Sequence, residues 1–156
     1  MLSVTVNHAD QRTELRFSGE IDHFGANAFA DAFATLRKTV CINFKNVRYI
    51  SSYGVGLMLR QMAAISREHH VEFAECTELM VDQFQMLQFS RYGKITSFQA
   101  RFACAACGRT ELRLLDVKRD LEIDVAAREV RARPIPCACG SELVVDDSLE
   151  FVLEYI

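Results

Sequence analysis

The sequence predicts an α/β domain, a mixed β-sheet covered by helices, followed by a small four-cysteine module. Three observations carry this. Over residues 1–99, stretches of alternating apolar and polar residues take turns with stretches whose apolar residues recur every three or four positions, in the order β-β-α-β-α-β-α-β. Four of the six cysteines lie after Gln99, in two close pairs. Half of the 156 residues are hydrophobic, enough for a core and too many for a disordered chain. That length suits a domain of about 100 residues with a small appendage, and the composition shift divides the chain into residues 1–99 and 100–156.

Leu2 to Asn7 alternates as a strand, and Thr13 to Ser18 repeats the pattern through Leu15 and Phe17, so the two form a hairpin over the polar His8-Ala9-Asp10-Gln11. Gly19-Glu20-Ile21-Asp22-His23 follows. By residue type Glu20 and Asp22 read as a solvated turn with a helix cap. Phe29, Ala32, Phe33 and Leu36 line one face of a helix expected from Phe24 to Leu36, and such a stripe is core. Val40 to Phe44 is a short strand whose Cys41 packs as a small hydrophobe. The next helix begins near Ser52, where Val55, Met58, Leu59, Met62 and Ile65 set the spacing, and runs to His69-His70. Those adjacent histidines point to different sides, which argues against a paired metal site and for favourable contact with the helix C-terminus. Val71 to Glu75, a helix through Met80, Phe84 and Leu87, and a last strand from Lys94 to Phe98 complete the alternation.

The stretch Tyr49-Ile50-Ser51-Ser52-Tyr53-Gly54-Val55-Gly56 organises this region. Ser51 or Ser52 can cap the first turn, and Gly54 and Gly56 remove side chains so that another backbone or a partner can approach. A helix N-terminus also favours a phosphate. The segment resembles the signature loop of the STAS domain, the fold of bacterial anti-sigma factor antagonists. In that family a strand leads into Asp-Ser-Ser-Gly-x-Gly and a helix, and the first Ser is phosphorylated by a partner kinase. Ser52 falls on that serine, and Gly54 and Gly56 on the glycines, while Ser51 stands where the family has Asp and Tyr53 where it has the second Ser. Gly19-Glu20-Ile21-Asp22 is similar to the family's Gly-Glu-Leu-Asp element, whose acidic side chains lie beside the phosphoserine loop. The resemblance therefore implies a partner-binding surface of Glu20, Asp22, Ser51, Ser52, Tyr53, Gly54 and Gly56, with Ser52 the phosphorylation candidate. It also implies partners of the anti-sigma factor or serine kinase type.

The second module contains Cys104-Ala-Ala-Cys107-Gly and Cys137-Ala-Cys139-Gly, with 29 residues between the pairs. Two close cysteine pairs at this separation suit a tetrahedral thiolate site, the pattern of a zinc ribbon, and the tighter Cys-x-Cys makes it a variant. A glycine after each pair lets the backbone turn around the metal with its N–H groups toward the sulfurs. Two disulfides are the alternative, which a cytoplasmic chain disfavours. One structural zinc per chain, on Cys104, Cys107, Cys137 and Cys139, is expected, since four thiolates leave no open coordination position. Iron in a rubredoxin-like site also fits four thiolates, although nothing else in the chain points to electron transfer. A unit this small cannot rely on its own core, so the metal staples it. Thr110 to Leu115, Leu121 to Val125 and Glu129 to Arg133 read as its strands, and Asp147-Ser148 as the cap of a final helix with Leu149, Val152, Leu153 and Ile156 on one face.

Charge excludes a polyanion binder. The chain has 18 basic and 21 acidic residues, and residues 101–156 alone carry 8 against 11, the wrong balance for tracking phosphates. No positive stretch precedes an apolar run at the N-terminus and no apolar segment approaches the ~20 residues of a membrane span, so the expected location is cytoplasmic. There is no nucleophile with a matching base and no phosphate loop, so no enzymatic activity is expected. The function expected is a regulatory protein-interaction module of the anti-sigma factor antagonist kind. The alternative is a non-phosphorylated STAS scaffold within a larger bacterial signalling or transport assembly, its zinc ribbon used for protein interaction.

Overall fold

The computed structural model describes all residues, Met1 to Ile156. The opening hairpin is β1 (Ser3–Ala9) and β2 (Arg12–Ile21), paired antiparallel. After one turn of 3-10 helix at His23–Gly25 come α1 (Ala26–Ala32), β3 (Thr39–Ile50), α2 (Ser52–Ile65), β4 (His70–Ala74), α3 (Glu78–Leu87) and β5 (Lys94–Ile95). The sheet has the order β1-β2-β3-β4-β5, antiparallel only at the first pair. This is the mixed sheet that the alternation predicts, and the order of elements is the predicted one.

Several boundaries differ from those read in the sequence, each for a tertiary reason. The strand expected at Val40 to Phe44 runs for 12 residues, because β3 follows β2 along its whole length, from Arg12↔Thr39 to Ile21↔Ile50. The helix expected from Phe24 to Leu36 stops at Ala32. Phe33 leaves it so that its ring can meet Phe29 and Phe17, at 5.1 and 6.1 Å between centroids. Likewise α2 ends at Ile65, short of the histidines. The Lys38 carbonyl takes the His70 N–H at 2.9 Å and starts β4, while His69 Nδ1 donates to the Arg37 carbonyl at 2.7 Å. The histidines therefore tie β4 to the loop before β3 and do not serve the helix end.

The strand expected at Lys94 to Phe98 is two strands. After Thr96 donates its N–H to the Phe73 carbonyl, β6 (Ser97–Ala103) turns out of the first sheet into a second one. There it joins β7 (Thr110–Asp116), β10 (Ile135–Pro136) and β11 (Glu142–Val145) in the order β10-β11-β6-β7, beside a separate hairpin of β8 (Leu121–Asp124) and β9 (Glu129–Ala132). Cys76 holds β6 to the first sheet, donating to the Ser97 carbonyl at 3.1 Å and accepting from the Gln99 N–H at 2.8 Å. Position 99/100 thus lies inside a strand that serves both sheets.

The two segments share one core. The buried apolar residues form one cluster from Leu2 to Tyr155, with Phe73, Phe84 and Phe98 continuous with Leu143, Leu149 and Val152. The final segment, a 3-10 helix over Glu150–Tyr155, seals the seam, and the Tyr155 hydroxyl donates to the Phe84 carbonyl at 3.2 Å. Asp147 does not cap this helix. Its carboxylate instead accepts the Arg101 N–H at 2.8 Å, which clips the segment to β6.

Candidate functional site: the Ser52 loop and a four-cysteine cluster

The loop is built by the last residues of β2 and β3. Their register, Glu20↔Tyr49 and Ile21↔Ile50, delivers the chain to α2 beside the end of β2. The Ile21 carbonyl accepts the Ser51 N–H at 3.0 Å and the Ser51 hydroxyl at 3.4 Å. The same hydroxyl accepts the Gly54 N–H at 3.1 Å, so Ser51 is the N-cap and Ser52 the first helical residue. Gly54 is buried, and a Cβ there would collide with the Ile21 carbonyl. Its role is thus to let α2 sit against β2. Gly56 meets only the tip of Arg60 and lies half-buried.

Ser52 is exposed, and its hydroxyl makes no hydrogen bond. The amides of Ser52 and Tyr53 have no intrahelical acceptor, being the first two of the helix, and α2 has no acidic residue in its first turn. Glu20, the last residue but one of β2, and Asp22, just after the strand, flank Ile21, whose carbonyl holds Ser51. Glu20 lies 3.9 Å from the N-terminal ammonium. Asp22 is the cap of the 3-10 turn, accepting the Phe24 and Gly25 amides at 3.0 and 3.2 Å.

Two residues beside the loop, His23 and Phe24, were not picked out from the sequence as part of a site. Phe24 is 75% exposed and Tyr53 50% exposed, and the His23 ring lies between them, 3.9 Å from Phe24 and 6.4 Å from Tyr53 by centroid. The signal was present. Phe24 stands five positions before Phe29, about 140° off the buried stripe at 100° per residue, so it belonged outside the core face.

The second constellation is the cysteine cluster. The Sγ atoms of Cys104, Cys107, Cys137 and Cys139 all lie within 4.8 Å of one another. The closest approaches, Cys104–Cys139 and Cys107–Cys137, are both 3.6 Å. A tetrahedral ion with sulfur bonds of ~2.3 Å requires sulfur–sulfur edges of about 3.8 Å, so these side chains fit a four-thiolate metal site. None of the six cysteines is in a disulfide. The two glycines act as the spacing suggested: Gly108 and Gly140 take φ of +74° and +91°. Each closes a tight turn, with the Gly108 N–H on the Cys104 carbonyl at 2.9 Å and the Gly140 N–H on the Cys137 carbonyl at 3.0 Å.

Backbone donors tune the sulfurs. The Cys107 amide, with that of Ala106, faces the Cys104 sulfur and pulls its pKa down to about 6. The Arg109 amide acts likewise on Cys107, but the sulfurs of Cys137 and Cys104 outweigh it and hold that proton up to about 11. Four sulfurs this close without an ion must share protons, and a cation would replace them. The remaining cysteines differ. Burial pushes the thiols of Cys41 and Cys76 up, with Arg12 partly offsetting the effect at Cys41, so both behave as core groups.

No family model matches the chain, and no curated protein sequence matches it. Among solved structures it is similar to an anti-sigma factor antagonist from Mycobacterium paratuberculosis, with a TM-score of 0.53 and 14% identity, over 61% of this chain and 85% of that one. It is also similar to the anti-sigma factor antagonist SpoIIAA in its unphosphorylated form (TM-score 0.49, 19% identity, 60% and 87% of the two chains). The phosphorylated Bacillus cell fate determinant SpoIIAA gives 0.46 and 20%, over 60% and 90%. The first of these establishes the fold. The five-stranded sheet and its helices are of the STAS type, joined to a four-cysteine cluster that fits a zinc ribbon.

Proposed function

We propose that this protein is a regulatory interaction module of the anti-sigma factor antagonist kind, which binds its partner through the Ser52 loop and releases it when Ser52 is phosphorylated. The observation that carries the reading is the exposed Ser52 hydroxyl at the first position of α2, directly after Ser51, which bonds the Ile21 carbonyl between Glu20 and Asp22, within a fold shared with an anti-sigma factor antagonist. The partner is an anti-sigma factor or serine kinase of that type. The aromatic group of His23, Phe24 and Tyr53 offers the kind of anchor that carries binding energy at such surfaces. No helix is long and apolar enough to cross a membrane, and the reading places the protein in the cytoplasm.

A phosphate would add about −1.5 to −2 charges at neutral pH. The free amides of α2 would hold it, while Glu20, Asp22 and an acidic partner surface would oppose it. A net penalty of ~1.4 kcal/mol is tenfold in affinity. Ser52→Asp is therefore expected to weaken partner binding about tenfold, with Ser52→Ala binding normally and both melting with the wild type. Equal binding by the two variants, or destabilisation by Ser52→Ala alone, would reduce Ser52 to a helix residue without a switch.

In this reading the four cysteines hold one structural zinc and the chain carries no catalytic step. Intact masses of protein from its own host, native and denatured, read metal and phosphate separately. The non-switching scaffold has one feature in its favour: Ser51 caps α2 through a hydroxyl, where the antagonist family has a carboxylate.

A further inference from the structure

Far from the Ser52 loop, an open groove of about 760 Å³ lies between the β5 edge of the first sheet and the hairpin β8–β9. Small-molecule sites occupy about 300–1,000 Å³ and favour the junctions between structural units. One wall is apolar, from Leu121 and Ile123 of β8 and Val125 of the turn that follows, with the Tyr155 ring beneath. Val125 is 66% exposed.

The groove is also lined by Lys94 of β5 and Lys118 of the turn between β7 and β8. Both are exposed, and neither ammonium group takes part in any of the molecule's ion pairs. The two side-chain carboxylates that share the groove are engaged elsewhere. Glu72 pairs with Arg12 at 2.6 Å and lies 3.9 Å from His70, and Asp116 accepts the amides of Lys118 and Arg119 at 3.0 and 2.9 Å. Two cations without an ion-pair partner thus share one groove with the buried Leu121, the partly buried Ile123 and the exposed Val125.

We propose that this groove binds a free single-chain carboxylate, its anionic head between Lys94 and Lys118 and its aliphatic chain along Leu121, Ile123 and Val125. Charge and shape select that class. An uncharged chain would leave both lysines unmet, and an apolar cation would be repelled by them. A compact inorganic anion would leave the aliphatic wall bare. Aromatic ligands have little to stack on, because the Tyr155 ring is only 3% exposed and its hydroxyl is held by Phe84. This site stands apart from the Ser52 loop and does not depend on whether that serine is modified.

The test uses the full-length protein with zinc, and monomeric decanoate as the probe. Titration followed by amide NMR should saturate at one decanoate per chain, with shifts centred on Lys94, Lys118 and Ile123. Decanol, decyltrimethylammonium and inorganic phosphate should each bind at least about tenfold more weakly. Lys94→Gln combined with Lys118→Gln should weaken decanoate about tenfold and leave decanol unchanged, and these exposed positions should not alter melting. Val125→Asp should weaken decanoate and decanol alike. Equal affinity for decanoate and decanol, wild-type decanoate binding by the double lysine variant, or shifts centred elsewhere would overturn the proposal.

Discussion

The five-stranded sheet and the four-cysteine module hold their strands together by different means. In the first, Phe17, Phe44, Phe73 and Phe84 are fully buried and touch in sequence, with ring centroids 6.0 Å apart for Phe17–Phe44, 5.5 Å for Phe44–Phe84 and 4.8 Å for Phe73–Phe84. Such a core loses stability by degrees as atoms are removed. In the second, four of the five strands after β6 have four residues or fewer, and the buried set includes the ligand candidates Cys104 and Cys137 themselves. A region of that kind is present with its metal and absent without it. The two are nevertheless joined through β6 and Tyr155, so failure of one is felt in the other.

The largest expected effect breaks the second region alone. Structural zinc contributes about 10–16 kcal/mol in small peptides at pH 7, as much as the whole stability of a typical domain, about 5–15 kcal/mol. Cys139→Ser should therefore abolish amide protection across β7 to β11 while β1 to β4 stay protected at a lowered melting temperature. Wild-type protection of β7 to β11 in that variant, or freshly purified protein holding less than one zinc per chain, would contradict the stapled-module picture.

Phe84→Ala tests the other region. The ring meets Phe44, Phe73 and Phe89, so truncation should cost about 3–5 kcal/mol by chemical denaturation. Its carbonyl is also the acceptor for Tyr155, and a single shared transition would sharpen the case for a common core. Two transitions, with only the first displaced, would separate the regions after all.

The smallest effect is at the seam. Tyr155→Phe removes one buried hydrogen bond and should cost about 1 kcal/mol. Burial, with smaller contributions from Cys76 and Glu154, holds the Tyr155 phenol protonated above its ordinary value of 10.0. As pH rises past that value the unfolded chain loses this proton and the folded chain keeps it. The folded state then binds more protons and stability falls with rising pH. Below pH 10 the contribution is complete. The gap between wild type and Tyr155→Phe should therefore narrow in the alkaline range, and a constant gap would mean that the phenol is open to water.

Local chemistry was the legible part of the sequence. The order of strands and helices follows from periodicity, and the four cysteines had to converge because a thiolate site needs two close pairs and a turn after each. Pairing between distant segments was not legible. Nothing near Ser97 announces that the strand will leave one sheet for another, since its partners, Cys76 on one side and Leu115 and Val145 on the other, lie far away in the chain. The same holds for the length of β3, which β2 dictates, and for the cap role withheld from Asp147, which Arg101 claims. At the Ser52 loop the motif located the helix start, while the exposed rings of His23 and Phe24 went unread because they stand where the turn meets the expected helix, outside both the motif and the core stripe.

The sharing of β6 also bears on how the protein is made. Phe84 and Phe98 belong to the first segment, yet part of what covers them, Leu149, Val152 and Tyr155, is translated much later. At about 5–20 residues per second, the interval between Phe98 and Tyr155 is roughly 3–11 s. During that time the nascent STAS-type sheet presents an apolar flank and an unfinished strand edge. A growing chain in this state is a natural client for a chaperone, and one stalled before residue 143 would be more prone to aggregate than either the finished protein or a chain stopped within the first hairpin.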